Sequence, residues 1–238
     1  MLRQPWQPLR GIPMGFSRIS GIAALGFAFL IVFSNVIQVP AGMPLTGADV
    51  DEVDAFFSAK ADVVGVGSAL TPAAWALATL FGAGAVSALR RSERDRGEAW
   101  SLLGFAGLAL QNAAFAAIVA IRLALASTAG GHPGATGGLW AFHDALFTLN
   151  GTFLALALVG LSVGGLRAGL VRPWHGALGL LSAALLFASA TLAPLVIDRA
   201  GPLGLLGLVG WLMWVVWLAA YGAVLIRLNP ASRSRGAG

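Results

Sequence analysis

The chain consists of long apolar stretches separated by short polar segments. Six stretches exceed 20 residues, and each contains at most one charged side chain. About 20 residues, at a rise of 1.5 Å per residue, are enough for an α-helix to cross the hydrocarbon of a bilayer. The pattern predicts an all-α integral membrane protein, an up-and-down bundle of six transmembrane helices in a single domain, 1–238. The predicted spans are about 19–39, 63–89, 100–126, 139–166, 174–197 and 203–228.

The basic residues predict how the bundle is oriented. When alternate connecting segments are assigned to one side, 12 of the 15 lysines and arginines fall on that side. Cytoplasmic loops are enriched in these residues, so both termini are predicted to be cytoplasmic. The residues on that side are Arg3, Arg10, Arg18, Arg90, Arg91, Arg94, Arg96, Arg167, Arg172, Arg227, Arg233 and Arg235.

Composition excludes several classes of protein. The chain is 58% hydrophobic and 11% charged, whereas charged residues make up about a quarter of an ordinary soluble domain. The predicted partner is therefore the lipid bilayer. The net charge of +5 does not predict a nucleic-acid partner, because the arginines cluster at the ends of apolar stretches. Without cysteine, the chain has no disulfide and no thiolate chemistry.

The first outer loop contains a short amphipathic pattern at 46–60. Val50, Val53 and Phe57 recur at helical spacing, and Thr46 precedes Asp49 by three residues, as in a helix-capping box. The opposite face is acidic. The pattern predicts a short helix that lies on the outer surface of the membrane.

Ionisable side chains occur within the third and fourth predicted spans. Arg122 lies about one turn inside the outer end of the third span, and His143 and Asp144 lie about one turn inside the outer end of the fourth. A short glycine-rich loop joins these spans, so the three side chains are predicted to meet. A charge within a membrane is costly unless it is paired, and Asp144 is the expected partner of Arg122, with His143 as a second donor or acceptor.

Further polar residues extend this cluster toward the middle of the bilayer. Gln111 shares a helix face with Arg122, and Asn150 shares one with His143, because their spacings approximate whole helical turns. The remaining candidates for the cluster are Asn112, Thr148, Asn35 and Gln38. Two interpretations are open: a structural clamp between helices, or an outward-facing polar cavity that binds a small molecule or passes protons.

The sequence favours a non-enzymatic protein without a cofactor. The segment 160–164 matches the G-x-S-x-G pattern of serine hydrolases, but Ser162 lies within an apolar helix and not on the required strand-to-helix turn. The same segment is a G-x-x-x-G helix-packing motif, which is the preferred interpretation. Within the spans only His143 and Asp144 resemble metal ligands, and no histidine pair suits haem, so neither metal nor haem is predicted.

Three segments resemble a known family: 18–22 at the start of the first span, 139–150 in the fourth span, and 167–174 before the fifth. They are similar to those of the uncharacterised six-helix membrane proteins of actinobacteria that are grouped as DUF4386-like domains of unknown function. The resemblance implies a multi-pass protein of the bacterial inner membrane without an assigned activity. The excess of arginine over lysine also resembles proteins of high-GC bacteria.

Three functional hypotheses follow. The leading one is a non-enzymatic membrane protein that binds a small or lipid-like ligand, or a partner protein, through the outer half of the bundle. The second is a small transporter or proton-coupled permease that uses Arg122, His143 and Asp144. The third, an intramembrane enzyme, would require a further base or metal ligand beside His143 or Ser162.

Overall fold

A computed structural model describes residues 15–131, 133–198 and 202–228 of the chain. Arg3, Arg10, Arg199, Arg233 and Arg235 therefore lie outside the described residues. The described part is entirely helical, apart from its connecting turns. Its helices are α1 (Phe16–Gln38), α2 (Val50–Ala59), α3 (Ala61–Ala69), α4 (Thr71–Arg96), α5 (Trp100–Thr128), α6 (Pro133–Arg167), α7 (Pro173–Thr191), α8 (Ala193–Asp198) and α9 (Gly204–Arg227).

Six helical segments in the described ranges are long and apolar enough to cross a membrane, which confirms the predicted fold class. They are α1, the successive helices α3 and α4 taken together, α5, α6, α7 and α9. Each packs against the next in the chain, and α9 packs against α1, so the six form a closed ring. The cytoplasmic position of the termini remains a prediction.

Two proline-containing segments interrupt the helices near one end of the bundle. The second span breaks at Leu70, just before Pro72, since proline has no N–H group and clashes with the preceding turn. The hydroxyl of Thr71 donates to the carbonyl of Ser68 at 2.6 Å. The fifth span ends at Thr191, and a turn at Leu192 leads into the separate helix α8, which contains Pro194.

Glycines allow neighbouring helices to approach at backbone distance. A Cβ on Gly160 of α6 would lie 2.3 Å from the backbone nitrogen of Gly104 on α5. A Cβ on Gly107 would lie 2.5 Å from the backbone nitrogen of Ala157. These contacts fix the antiparallel register of α5 and α6, because neither helix can slide without a backbone clash.

The loop helix α2 does not merely lie on the membrane surface. Val53 and Phe57 are fully buried, and they form an apolar cluster with Ile121 and Leu125 of α5 and Trp140 of α6. We call residues 47–59 the lid. The helix begins after Asp49 and not at Thr46, and its start has no side-chain cap.

The two ends of the bundle differ. The lid covers one end, which we call the lid end. At the opposite end α4, α6 and α9 finish in arginine, and we call it the arginine end.

Candidate functional site

Arg122, His143 and Asp144 form a chain of hydrogen bonds beneath the lid. The Nε of Arg122 donates to Nε2 of His143 at 3.0 Å. A guanidinium can only donate, so this imidazole nitrogen must accept, and the proton of the neutral ring lies on Nδ1. Nδ1 donates to Oδ1 of Asp144 at 3.1 Å. The expected direct pair between Arg122 and Asp144 is therefore replaced by a pair bridged through His143.

The second oxygen of Asp144 holds the lid. Oδ2 accepts the backbone N–H of Gly47 at 2.8 Å. Gly47 has a φ of +81°, in the left-handed region that favours glycine, and a Cβ there would lie 2.7 Å from the carbonyl oxygen of Ile197. Both oxygens of this buried carboxylate are thus paired. One binds the relay from Arg122 and the other binds the loop that precedes α2.

Aromatic rings surround the imidazole of His143. Trp140 stacks on one side with ring centroids 4.5 Å apart, and Phe147 lies parallel on the other side at 5.8 Å. The guanidinium of Arg122 lies 6.0 Å from the Phe147 centroid, at the outer limit of a cation–π contact. His143 and Asp144 are buried, with 3% and 2% of their surface exposed. This packing fixes the imidazole in one orientation.

A second carboxylate attaches the lid to the turn between α5 and α6. Both oxygens of Asp54 lie 3.1 Å from the backbone N–H of Gly130, and Oδ1 also accepts the hydroxyl of Thr136 at 2.9 Å. Asp144 binds Gly47, the first residue of the lid, whereas Asp54 lies near the middle of the lid, so the two contacts hold it at different points. We call them the Asp144 latch and the Asp54 latch.

The first helix contributes one of its two candidates. Gln38 is buried and its Oε1 accepts a hydrogen bond from Arg122 at 3.4 Å, while its Nε2 donates to Ser34 at 2.7 Å. Asn35 is exposed and donates to the carbonyl of Ile31 in its own helix. Asn35 therefore lies outside the cluster.

Deeper amides include buried oxygens without partners. Gln111 and Asn150 are 5% and 6% exposed, and in the described part of the chain neither Oε1 nor Oδ1 accepts a hydrogen bond. Asn150 lies seven residues from both His143 and Ala157, which face α5, and Gln111 lies four residues after Gly107, which faces α6. Both amides therefore face the α5–α6 interface.

Three other polar side chains lie in or beside the predicted cluster. The N–H of Trp140 is buried without an acceptor among the described residues, although the ring lies directly beneath the lid. Thr148 donates its hydroxyl to the carbonyl of Asp144. Asn112 turns away toward α4, where it donates to the carbonyl of Trp75 at 3.3 Å. Buried polar groups normally have partners, so unpaired ones mark a candidate place for a ligand or water.

The arginine half of the bundle contains a separate set of unpaired polar atoms. The hydroxyls of Ser162 and Tyr221 and the N–H of Trp217 are buried without partners in the described ranges. His175 donates from Nε2 to the carbonyl of Trp217 at 3.0 Å and makes no hydrogen bond with Ser162. Among the residues that the structure describes, no base accepts a hydrogen bond from Ser162, whereas a serine hydrolase requires one.

Comparisons with protein-family models, curated proteins and solved structures find no match to this chain. The resemblance to DUF4386-like proteins therefore remains a prediction that rests on the three segments quoted above. The chain is a multi-pass membrane protein by the length and apolar character of its helices.

Sequence reasoning missed both latches. Gly47 contributes a backbone N–H, which no side-chain pattern reveals, and Asp54 belongs to the acidic face of the pattern at 46–60, opposite its apolar residues. A usable signal was present: Asp54 lies one residue after the buried Val53 and three before the buried Phe57, near the edge of the apolar face. Trp140 was noted only as part of the family resemblance.

Proposed function

We propose that this protein binds a small polar ligand in the outer half of the bundle, at the α5–α6 interface beneath the lid. The observation that carries the proposal is the coincidence of a latched lid with buried, unpaired polar groups below it. Trp140 offers a donor, and Gln111 and Asn150 offer acceptors. Asn150 lies ten residues from Trp140, about 15 Å along α6, so a small ligand with hydroxyl or amine donors complements Gln111 and Asn150, whereas the Trp140 N–H lies nearer the lid. The proposal includes no chemical transformation of the ligand.

In this proposal, Arg122, His143 and Asp144 act as the lid's support and not as the ligand's first contact. Their polar atoms pair with one another, with Gln38 and with Gly47. Both oxygens of Asp144 and both ring nitrogens of His143 are already paired, so these two side chains have few free hydrogen-bonding sites for a ligand. The clamp interpretation thus applies to these three residues, and the cavity interpretation applies to the amides that lie deeper.

The absence of cysteine from the chain allows a direct test. A single Asn150→Cys substitution places a thiol at the proposed site, and a small methanethiosulfonate reagent reports its access to water. The lid is locked by adding Val50→Cys and Gly137→Cys. A Cβ on Gly137 would lie 3.6 Å from Cγ2 of Val50, and Gly137 lies in helical backbone, so a disulfide fits.

The thiol at position 150 is expected to react with the reagent when the lid is reduced, and at least about tenfold more slowly when the lid disulfide forms. Ser127→Cys at the exposed end of α5 serves as the control and should react equally in both states. If the thiol at position 150 is unreactive in both states, the whole cluster is a structural clamp. Equal reaction in both states would show that access does not pass under the lid.

A transporter is the second candidate. Unpaired polar groups occur in both halves of the bundle, and the buried Leu154 and Leu158 separate Asn150 from Ser162 along α6. Two polar regions on either side of an apolar layer suit alternating access. A transporter predicts that locking the lid raises the reactivity of a Ser162→Cys thiol from the arginine end. In a binding protein the lid disulfide leaves that reactivity unchanged.

A further inference from the structure

A cleft of about 330 Å³ opens at the arginine end, far from the lid. Its walls come from the last two turns of α4, the turn between α6 and α7, and the residue after α9. Its lining combines apolar and charged groups: Ala88, Arg91, Ser92 and Asp95, the turn 168–170, and Leu228. A site at the end of transmembrane helices with such a lining suits a molecule that is apolar at one end and charged at the other.

The cleft contains one unpaired cation and one unpaired anion. Arg91 and Asp95 are four residues apart on α4, a spacing at which opposite charges often pair. Both are exposed, and neither forms an ion pair with any residue in the described ranges. By contrast, Glu98 pairs with both Arg96 and Arg167 nearby. The cleft therefore presents separated charges of both signs.

The turn between α6 and α7 adds acceptors and no free donors. The N–H groups of Ala168, Gly169 and Leu170 already donate into the last turn of α6. The carbonyl oxygens of 168–170 accept no backbone hydrogen bond from the described residues. These carbonyls also lie at the negative end of the α6 dipole, which favours a cation. A ligand's ammonium group, with three N–H donors, matches this wall and Asp95.

We propose that this cleft binds the headgroup of phosphatidylethanolamine. The phosphate lies against the guanidinium of Arg91 and the hydroxyl of Ser92, and the ammonium lies between Asp95 and the turn carbonyls. The acyl chains leave along Leu170 and Leu228 toward the hydrocarbon. Phosphatidylglycerol has no ammonium for Asp95, and the trimethylammonium of phosphatidylcholine has no N–H to donate, so both are poorer ligands.

Native mass spectrometry of the delipidated full chain tests this proposal. The probes are the palmitoyl-oleoyl forms of phosphatidylethanolamine, phosphatidylglycerol and phosphatidylcholine at equal concentration. The ethanolamine lipid is expected to bind about tenfold more tightly than the other two, equivalent to the loss of one charge-assisted contact. Arg91→Gln and Asp95→Asn should each lower its affinity by a similar factor.

Arg90→Gln is the matched control, because Arg90 is the exposed neighbour of Arg91 and does not line the cleft. The control should bind the ethanolamine lipid as the parent chain does. Equal binding of all three lipids would overturn the proposal. So would tighter binding of phosphatidylglycerol, or an Arg90→Gln loss equal to that of Arg91→Gln, since each indicates a basic surface without a headgroup site. Thermal unfolding of the variants verifies that they remain folded.

Discussion

Asp144 of α6 accepts the backbone N–H of Gly47, which lies 97 residues earlier in the chain, at 2.8 Å. The same carboxylate accepts a hydrogen bond from Nδ1 of His143, whose Nε2 accepts one from Arg122. A single buried charge thereby links the position of the lid to the packing of α5 against α6. Three successive hydrogen bonds therefore connect Arg122 to the lid.

Asp144→Asn should destabilise the protein. The substitution retains the side-chain size but removes the negative charge that balances Arg122, and breaking a buried charged network is costly. We expect a loss of about 2 to 3 kcal/mol in the free energy of unfolding, somewhat below that of a fully buried pair because Arg122 is partly exposed. Chemical unfolding in detergent measures the loss. The control is Asp51→Asn, an exposed residue of α2 that should change stability by less than about 1 kcal/mol.

Asp54→Ala should release the lid while the six spans stay folded. It removes the acceptor for Gly130 and Thr136, and hydrogen bonds to a charged group are worth about 1.5 to 3 kcal/mol. Amide hydrogen exchange within α2 should accelerate at least about tenfold. Exchange of the α6 amides that lie away from the lid should not change. Asp51→Ala, on the same helix but exposed, should leave exchange near its parent rate. Unaltered exchange in Asp54→Ala would show that apolar contacts alone hold the lid.

Gly160→Ala should separate α5 from α6. The new methyl group would lie 2.3 Å from the backbone nitrogen of Gly104 and 2.6 Å from the carbonyl oxygen of Trp100, and backbone atoms cannot turn aside as a side chain does. Overpacking of this kind costs about 3 kcal/mol. Gly138→Ala on the same helix meets open space and should be neutral or stabilising by up to about 1 kcal/mol. Thermal unfolding of the two variants side by side gives the comparison, and equal melting temperatures would contradict the observed helix contact.

Glu98, in the turn between α4 and α5, should make the arginine end sensitive to acid. Partial burial raises the pKa of Glu98, but its hydrogen bond with Arg96 and the charge of Arg167 outweigh this, so the pKa lies below its ordinary value of 4.5. Because the folded pKa is depressed, the contribution of Glu98 to stability is complete above the unfolded pKa and is lost as pH falls through the folded value.

A carboxyl NMR titration of selectively labelled Glu98 measures this pKa, and the pH dependence of unfolding below about 4.5 tests its effect on stability. Glu98→Gln should remove that part of the acid sensitivity. An ordinary pKa for Glu98 would show that the pairs with Arg96 and Arg167 do not persist in solution.

The number and placement of the spans could be predicted from the chain because each span must be apolar along its whole length. That requirement is local, because the hydropathy of each residue in a span such as α1 contributes to it. Arg122, His143 and Asp144 could likewise be assigned to one depth, since rise per residue and the length of the connecting loop determine depth. Their proximity to one another follows from these local quantities.

The tertiary structure alone decided which atoms meet. The rotation of α5 and α6 places His143 between Arg122 and Asp144 and directs Asn112 toward α4, and the rotation of α1 leaves Asn35 exposed. The lid position depends on the backbone N–H of Gly47 and on the packing of Phe57 against α5 and α6, and hydropathy identifies neither of these partners. Hydropathy is a property of one residue in its solvent, whereas helix rotation, latches and unpaired atoms depend on contacts between segments that are distant in the chain.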